Sequence, residues 1–108
     1  VLPVEVAKKL YERFPNIEVI NGYGPTEATV GVSHVVIEEK HINSGESLPV
    51  GVPMPNCTIK ILDEDGNEVK DGEKGEISII GPSVSKGYYK NEEKTRISFY
   101  IIEQVISE

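Results

Sequence analysis

The chain carries one clear amphipathic-helix pattern, over residues 3–14, and after it only short β-prone runs divided by glycine- and proline-bearing turns. That layout limits the fold more than any other feature. Val4, Ala7, Tyr11 and Phe14 recur at three- and four-residue spacing, joined by Leu10, while Glu5, Lys8, Lys9, Glu12 and Arg13 fill the opposite side. Pro3 suits a first helical turn, where its missing N–H costs nothing, and Pro15-Asn16 ends the pattern. Residues 17–20 are nearly all apolar and predict a short buried strand. Further strands are expected at 33–38, 58–62 and 76–80, with a polar surface connection over 41–48. Asp65-Gly66, between Leu62 and Val69, is a strong hairpin signal, and Asp71-Gly72 a second. A β-meander with acidic turns is expected there, entered through a link holding Pro49, Pro53 and Pro55. From Thr95 onward the apolar residues fit helix and strand equally, so no element is assigned.

Composition narrows the class of partner. With two Phe and no Trp among 108 residues, Ile, Val and Leu must fill the core. A chain of this size buries roughly 65% of its extended surface, enough for one. Eighteen acidic residues against eleven basic give a net charge of −7, which argues against nucleic acid and anionic membrane surfaces. No apolar run approaches the roughly 18 residues of a membrane span, so no insertion is expected. The single cysteine, Cys57, cannot form an internal disulfide or hold a structural zinc alone. A reducing, cytoplasmic compartment is expected. The chain opens on Val1 without a basic-then-apolar leader, and is expected to begin inside a longer reading frame.

Residues 21–27, Asn-Gly-Tyr-Gly-Pro-Thr-Glu, place two glycines, a proline and several polar side chains directly after a predicted buried strand. Loops at strand ends in α/β proteins are common ligand sites. A ring beside glycines, such as Tyr23, can stack on a base face for about 1–3 kcal/mol. Gly24-Pro25 turns the chain, presenting Thr26 and Glu27 together. A hydroxyl binds phosphate oxygen, and one carboxylate with phosphate oxygens and waters is how Mg²⁺ is commonly held. On these residues alone, a nucleotide site and a strained surface loop both stay open. Elsewhere the plainer readings are preferred. His34 and His41, seven apart, match no zinc spacing and read as surface residues. Cys57 reads as a packed small side chain, residues 63–68 as an acidic hairpin rather than a calcium loop, and Ser85-Lys86-Gly87-Tyr88 as a β-turn.

Residues 21–27 resemble the Asn-x-Tyr-Gly-Pro-Thr-Glu motif of adenylate-forming enzymes: acyl-CoA synthetases, luciferase-like ligases and peptide-synthetase adenylation domains. A second block supports the likeness at the right distance. Residues 75–81, Gly-Glu-Ile-Ser-Ile-Ile-Gly, and 84–89, Val-Ser-Lys-Gly-Tyr-Tyr, resemble that family's Gly-Glu-(Leu/Ile)-x-(Ile/Val)-x-Gly and Val-x-x-Gly-Tyr stretches. Leu2-Pro3-Val4-Glu5-Val6-Ala7, Thr26-Glu27-Ala28-Thr29-Val30, Leu48-Pro49-Val50-Gly51 and Gly81-Pro82-Ser83-Val84-Ser85 are similar to the branch that activates D-alanine for a carrier protein.

The resemblance covers roughly residues 1–96 and implies an α/β fold: part of such an enzyme's large N-terminal domain, a helix and sheet strand followed by a β-meander. Residues 1–48 would belong to the ATP- and substrate-binding α/β subdomain and 49–96 to a β-rich subdomain, with 97–108 a tail departing from the pattern. The implied reaction condenses D-alanine with ATP to D-alanyl-AMP, then passes the D-alanyl group to the phosphopantetheine thiol of a D-alanyl carrier protein, for teichoic acid D-alanylation. Asn21, Gly22, Tyr23, Gly24, Pro25 and Thr26 would bind the nucleotide, with Tyr23 on the adenine and Thr26 at the α-phosphate. Glu27 would hold Mg²⁺ and, with Thr26, serve catalysis. Gly22, Val30 and Gly31 would border the D-alanine methyl.

Some features depart from the pattern. Gly22 stands where these ligases usually have Thr. The family's glycine-rich phosphate loop, its Tyr-x-Thr-Gly-Asp ribose site and its lid with a catalytic lysine match nothing in the 108 residues. The isolated chain is therefore expected to be inactive, and its uncovered sheet edges and apolar faces to favour self-association. A piece of another adenylation domain or acyl-CoA ligase, or a non-catalytic remnant, are the competing readings.

Overall fold

A computed structural model describes residues 1–100 of the protein. Its elements run α1 (Val4–Arg13), β1 (Ile20–Tyr23), a 3₁₀ turn (Thr26–Ala28), β2 (Ser33–Val36), α2 (Glu39–Ile42), β3 (Val52–Pro53), β4 (Thr58–Leu62), β5 (Glu76–Ile80) and α3 (Glu92–Ser98).

Helix α1 forms where the periodicity places it. Pro3 stands at the N-cap, and its carbonyl accepts the Val6 and Ala7 N–H groups at 3.1 and 3.2 Å. Glu5 in the first turn and Arg13 in the last suit the helix dipole. Ala7 is fully buried against Val19, Ile37 and Leu48, with Leu2, Val4, Leu10, Tyr11, Val35 and Ile42 packed around them. The expected stripe stops short at its far end: Phe14 is the C-cap and 51% exposed.

Strand β1 lies three residues later than the apolar run 17–20 predicts, and the sheet is antiparallel and half-buried. Ile20 pairs with Val36 and Tyr23 with Ser33, while His34 pairs with Val52 on β3. Ile17 and Ile20 are exposed; only Val19 of that run is buried. The pleat explains the shift, because Val19, Asn21 and Tyr23 point to one face and Ile20 and Gly22 to the other. Asn21, Gly22 and Tyr23 are thus strand residues, not loop. Asn21 can be buried because its Nδ2 donates to the Pro49 carbonyl at 2.7 Å.

The expected strand 33–38 ends at Val36. The connection predicted over 41–48 starts as helical turn α2, where the Glu38 N–H donates to His41 Nδ1 at 2.9 Å, and Leu48 is buried. Because β3 joins β2, the first sheet crosses the sequence position between residues 48 and 49.

Tyr11 fastens α1 to this sheet. Its hydroxyl donates to the Ile37 carbonyl and accepts the Val19 N–H at 3.2 Å. Tyr11→Phe leaves both backbone groups without this partner, an expected loss of about 1–3 kcal/mol, read as a lower urea midpoint.

Strands β4 and β5 pair in antiparallel register from Thr58↔Ile80 to Leu62↔Glu76. They form a two-stranded ribbon, not a meander in chain order. Glu68 bridges Leu62, and the Val69 N–H donates to the Ile61 carbonyl, so the returning chain touches β4 before β5 does. The acidic turn between them is self-satisfied: Asp63 Oδ1 accepts the Asp65 and Asn67 N–H groups at 3.0 and 2.8 Å. The unassigned stretch after Thr95 is helical to Ser98, as the end of α3, whose Asn91 cap accepts the Lys94 N–H at 3.0 Å. Of the tail 97–108, residues 101–108 lie outside the described residues.

Candidate functional site

The β1–β2 connection folds tightly on itself. The Pro25 carbonyl accepts the Ala28 and Val30 N–H groups at 3.0 and 3.1 Å, and the Tyr23 carbonyl accepts the Val32 N–H at 2.9 Å. This closure brings Gly24 against the returning strand, where a Cβ would stand 2.7 Å from the Val30 carbonyl carbon and 2.9 Å from the Val32 nitrogen. Only glycine fits. Thr29 and Val30 have φ of 59° and 68°, a left-handed conformation costly for β-branched residues. The strain sits just after the motif, at Thr29 and Val30.

The loop's 3₁₀ turn delivers Glu27 to an open hollow of about 720 Å³ between the loop, β5, the turn after β5 and α3. Pro25 and Ala28 line it beside Glu27, facing Glu76, Ser85, Lys86 and Tyr88. The other motif residues lie elsewhere. Asn21 is buried and bonded to Pro49, Tyr23 is half-buried at the end of β1, and Gly22, Thr26, Val30 and Gly31 are exposed. None of these, nor Gly24, is among the hollow's walls.

Glu27 is held at both ends. Its main-chain carbonyl accepts the Ser85 N–H at 2.7 Å, and its Oε1 accepts the Tyr88 hydroxyl at 2.6 Å. Nearby, Thr29 Oγ1 donates to the Ser83 carbonyl at 2.7 Å. The Tyr88 hydrogen bond, with help from Glu27's own backbone amide and the Lys94 charge, keeps the Glu27 carboxyl below its ordinary range against partial burial. The same bond raises the Tyr88 phenol, burial and the Glu27 charge adding to it. Glu27 is therefore an ionised acceptor at neutral pH. The contact's contribution is fully present above the ordinary carboxylate pKa and fades as acid titrates Glu27 below it; in alkali it is fully present below the ordinary phenol pKa and is lost as pH rises through the raised Tyr88 value.

Tyr88 is the residue that sequence reasoning undervalued. Residues 85–88 carry only turn signals, yet the Tyr88 side chain reaches 61 residues back to the motif acid. The only sequence signal was that two family-like blocks occur in order.

Among the described residues, no three His, Cys, Asp or Glu side chains stand together to form a metal cage. A single carboxylate at a hollow's edge fits a Mg²⁺ ion arriving with a polyphosphate, completed by phosphate oxygens and water. It does not fit an all-protein cation site.

A family model described as "AMP-binding enzyme" matches residues 1–89. The D-alanine–D-alanyl carrier protein ligase of Streptococcus pyogenes serotype M3 (strain SSI-1) is 50% identical over 99 residues, 92% of this chain and 19% of that protein. Thus the chain spans about a fifth of the length of the curated relatives it matches. Two solved structures are similar. Holo-PA1221, an NRPS protein containing adenylation and PCP domains, superimposes with a TM-score of 0.85 at 30% identity, over 93% of this chain and 17% of that one. McyG A-PCP complexed with phenylalanyl-adenylate gives 0.81 at 27% identity, over 92% and 19%.

Proposed function

The chain belongs to the AMP-binding enzyme family, and from that premise we propose that it is part of a cytoplasmic ligase that activates D-alanine with ATP and loads it on a carrier protein. In the first step a D-alanine carboxylate oxygen attacks the α-phosphorus, and pyrophosphate leaves. In the second the carrier's phosphopantetheine thiol attacks the acyl carbonyl of D-alanyl-AMP, and AMP leaves. The observation that carries the reading is Glu27, ionised and fixed at the edge of the hollow between two family motifs. The choice of D-alanine is supported by the 50% identity to ligases named for it.

The roles follow motif position in the family likeness, not the walls of the hollow, which only Pro25 and Glu27 of the motif reach. Asn21, Gly22 and Tyr23 border the adenine, Gly24 and Pro25 set the loop, and Thr26 contacts the α-phosphate. Glu27 holds the Mg²⁺ that the nucleotide brings, which supplies positive charge where negative charge builds. Val30, with Gly22 and Gly31, closes the pocket on a methyl group. Residues 1–48 and 49–96 serve as the α/β and β-rich parts of that enzyme, with β3 (Val52–Pro53) tying the second stretch to the first sheet.

The test is a chimera in which the 99 matched residues replace their counterparts in the S. pyogenes ligase. D-Alanine-dependent ATP–pyrophosphate exchange is expected, with other amino acids much weaker. A folded, soluble chimera without exchange overturns the reading; a preference for another amino or fatty acid moves it to the broader adenylation class.

Val30 offers a prediction on specificity. Val30→Gly in the chimera removes an isopropyl group and is expected to cut discrimination between D-alanine and larger D-amino acids about tenfold. It also relieves a left-handed β-branched residue, stabilising by up to about 1 kcal/mol before glycine's added unfolded-state freedom. An unchanged amino-acid range removes Val30 from the pocket.

Ile20, Val36 and Val52 share one exposed face of the first sheet. The isolated chain is expected to self-associate through it. Sedimentation velocity is expected to show dimers or larger species that Val52→Lys disperses; a clean monomer excludes this.

A further inference from the structure

The second motif grips the acid of the first. Glu27 receives the Ser85 N–H on its carbonyl and the Tyr88 hydroxyl on its carboxylate, from a segment 58 and 61 residues downstream in the chain. Tyr88 is itself held on several sides. Its N–H donates to Thr95 Oγ1 at 2.8 Å, Thr95 Oγ1 also donates to the Asn91 carbonyl at 2.7 Å, and the Phe99 ring meets its ring edge-on at 5.4 Å. Lys94 Nζ lies 4.7 Å from the ring centroid. Gly87, at φ 135°, lets the chain pass Thr95 where a Cβ would collide with it.

We propose that Tyr88 is a positioning residue: its hydroxyl fixes the Glu27 carboxylate so that the acid meets a nucleotide-borne divalent cation in one orientation. The turn at residues 81–88 is the strut that carries it, and α3 is the brace behind the strut. The proposal rests on the reading of Glu27 as the metal-binding acid. A free glutamate on a three-residue 3₁₀ turn samples several rotamers, and a cation bound by one protein carboxylate depends on that carboxylate being in place. The arrangement also accounts for two sequence blocks so far apart occurring together: one supplies the ligand and the other its orientation.

The test measures Mn²⁺ binding by electron paramagnetic resonance, in the chimeric full-length ligase with a non-hydrolysable ATP analogue. Tyr88→Phe keeps the ring on Phe99 and Lys94 but deletes the hydroxyl. It is expected to weaken Mn²⁺ binding about tenfold, the low end for loss of an outer partner of a metal ligand. Glu27→Ala is expected to weaken it further, and Tyr88→Phe to add nothing in that background. Thr95→Val, which loosens the brace while leaving the hydroxyl, is expected to have the same sign and a smaller size; it carries the test if Tyr88→Phe does not fold.

The outcomes separate the two claims. Unchanged Mn²⁺ affinity in Tyr88→Phe with a loss in Glu27→Ala overturns the positioning role and leaves Glu27 standing. An equal Tyr88→Phe loss with or without Glu27 overturns it too, because Tyr88 then acts by another route. Unchanged affinity in Glu27→Ala removes the metal-binding reading and the proposal with it.

Discussion

Glu27→Gln in the full-length chimera is expected to lower D-alanine-dependent ATP–pyrophosphate exchange by about 10²–10³-fold, the range for losing a single charge-stabilising group at a phosphoryl or acyl centre. The substitution is nearly isosteric. Its Oε1 can still accept the Tyr88 hydroxyl, so the loop is expected to stay in place and the melting temperature to move little. What is lost is a full negative charge, on a carboxyl whose pKa the Tyr88 bond lowers further below neutrality. The loss is expected chiefly in kcat, with raised Mg²⁺ recovering part of it, because a weaker ligand is partly overcome by mass action. Unchanged exchange at limiting Mg²⁺ removes Glu27 from the metal role.

The 108-residue chain by itself is expected not to bind ATP measurably. A charge-assisted hydrogen bond contributes about 1.5–3 kcal/mol. The phosphate loop, ribose acid and lid lysine implied by the family likeness supply three or four of these, and none has a counterpart in the chain. Their absence removes roughly 5–10 kcal/mol, and each 1.4 kcal/mol is tenfold in affinity. The geometry agrees, since only Pro25 and Glu27 of the seven motif residues reach the hollow. Isothermal titration giving a Kd below about 100 μM overturns the expectation, on the same arithmetic.

How much of this was legible beforehand differs from element to element. Helix α1 was readable because its face follows a 3.6-residue period, which needs no partner to recognise. Strands β4 and β5 fell at residues 58–62 and 76–80, as the β-prone runs between turn residues predicted. Strand β1 was displaced because a strand's position depends on what it pairs with. Residues 33–36 draw the pairing onto residues 20–23, and Asn21 follows only because Pro49 supplies an acceptor from 28 residues away. The strand order of the second half is not local either, since turn chemistry announces a reversal but not which strand the returning chain will touch.

The candidate site divides along the same line. Glu27 was nameable from its motif, as were the glycines and proline that turn the chain around it. Its confinement was not. Nothing local in Ser85-Lys86-Gly87-Tyr88 says that an amide and a phenol will meet the same glutamate, because hydrogen bonds at that separation exist only once both sheets are placed.

From the sequence alone came the chemical parts: one amphipathic helix, short strands between turns, an acidic surface and the seven residues that carry the family's acid. These are local, set by side-chain period, turn geometry and residue type. Tertiary structure alone decided which parts meet. It set the register of β1, the left-handed strain at Thr29 and Val30, and the grip of Tyr88 on Glu27. Contacts between distant residues depend on how the intervening chain closes, and no short window of sequence encodes that closure.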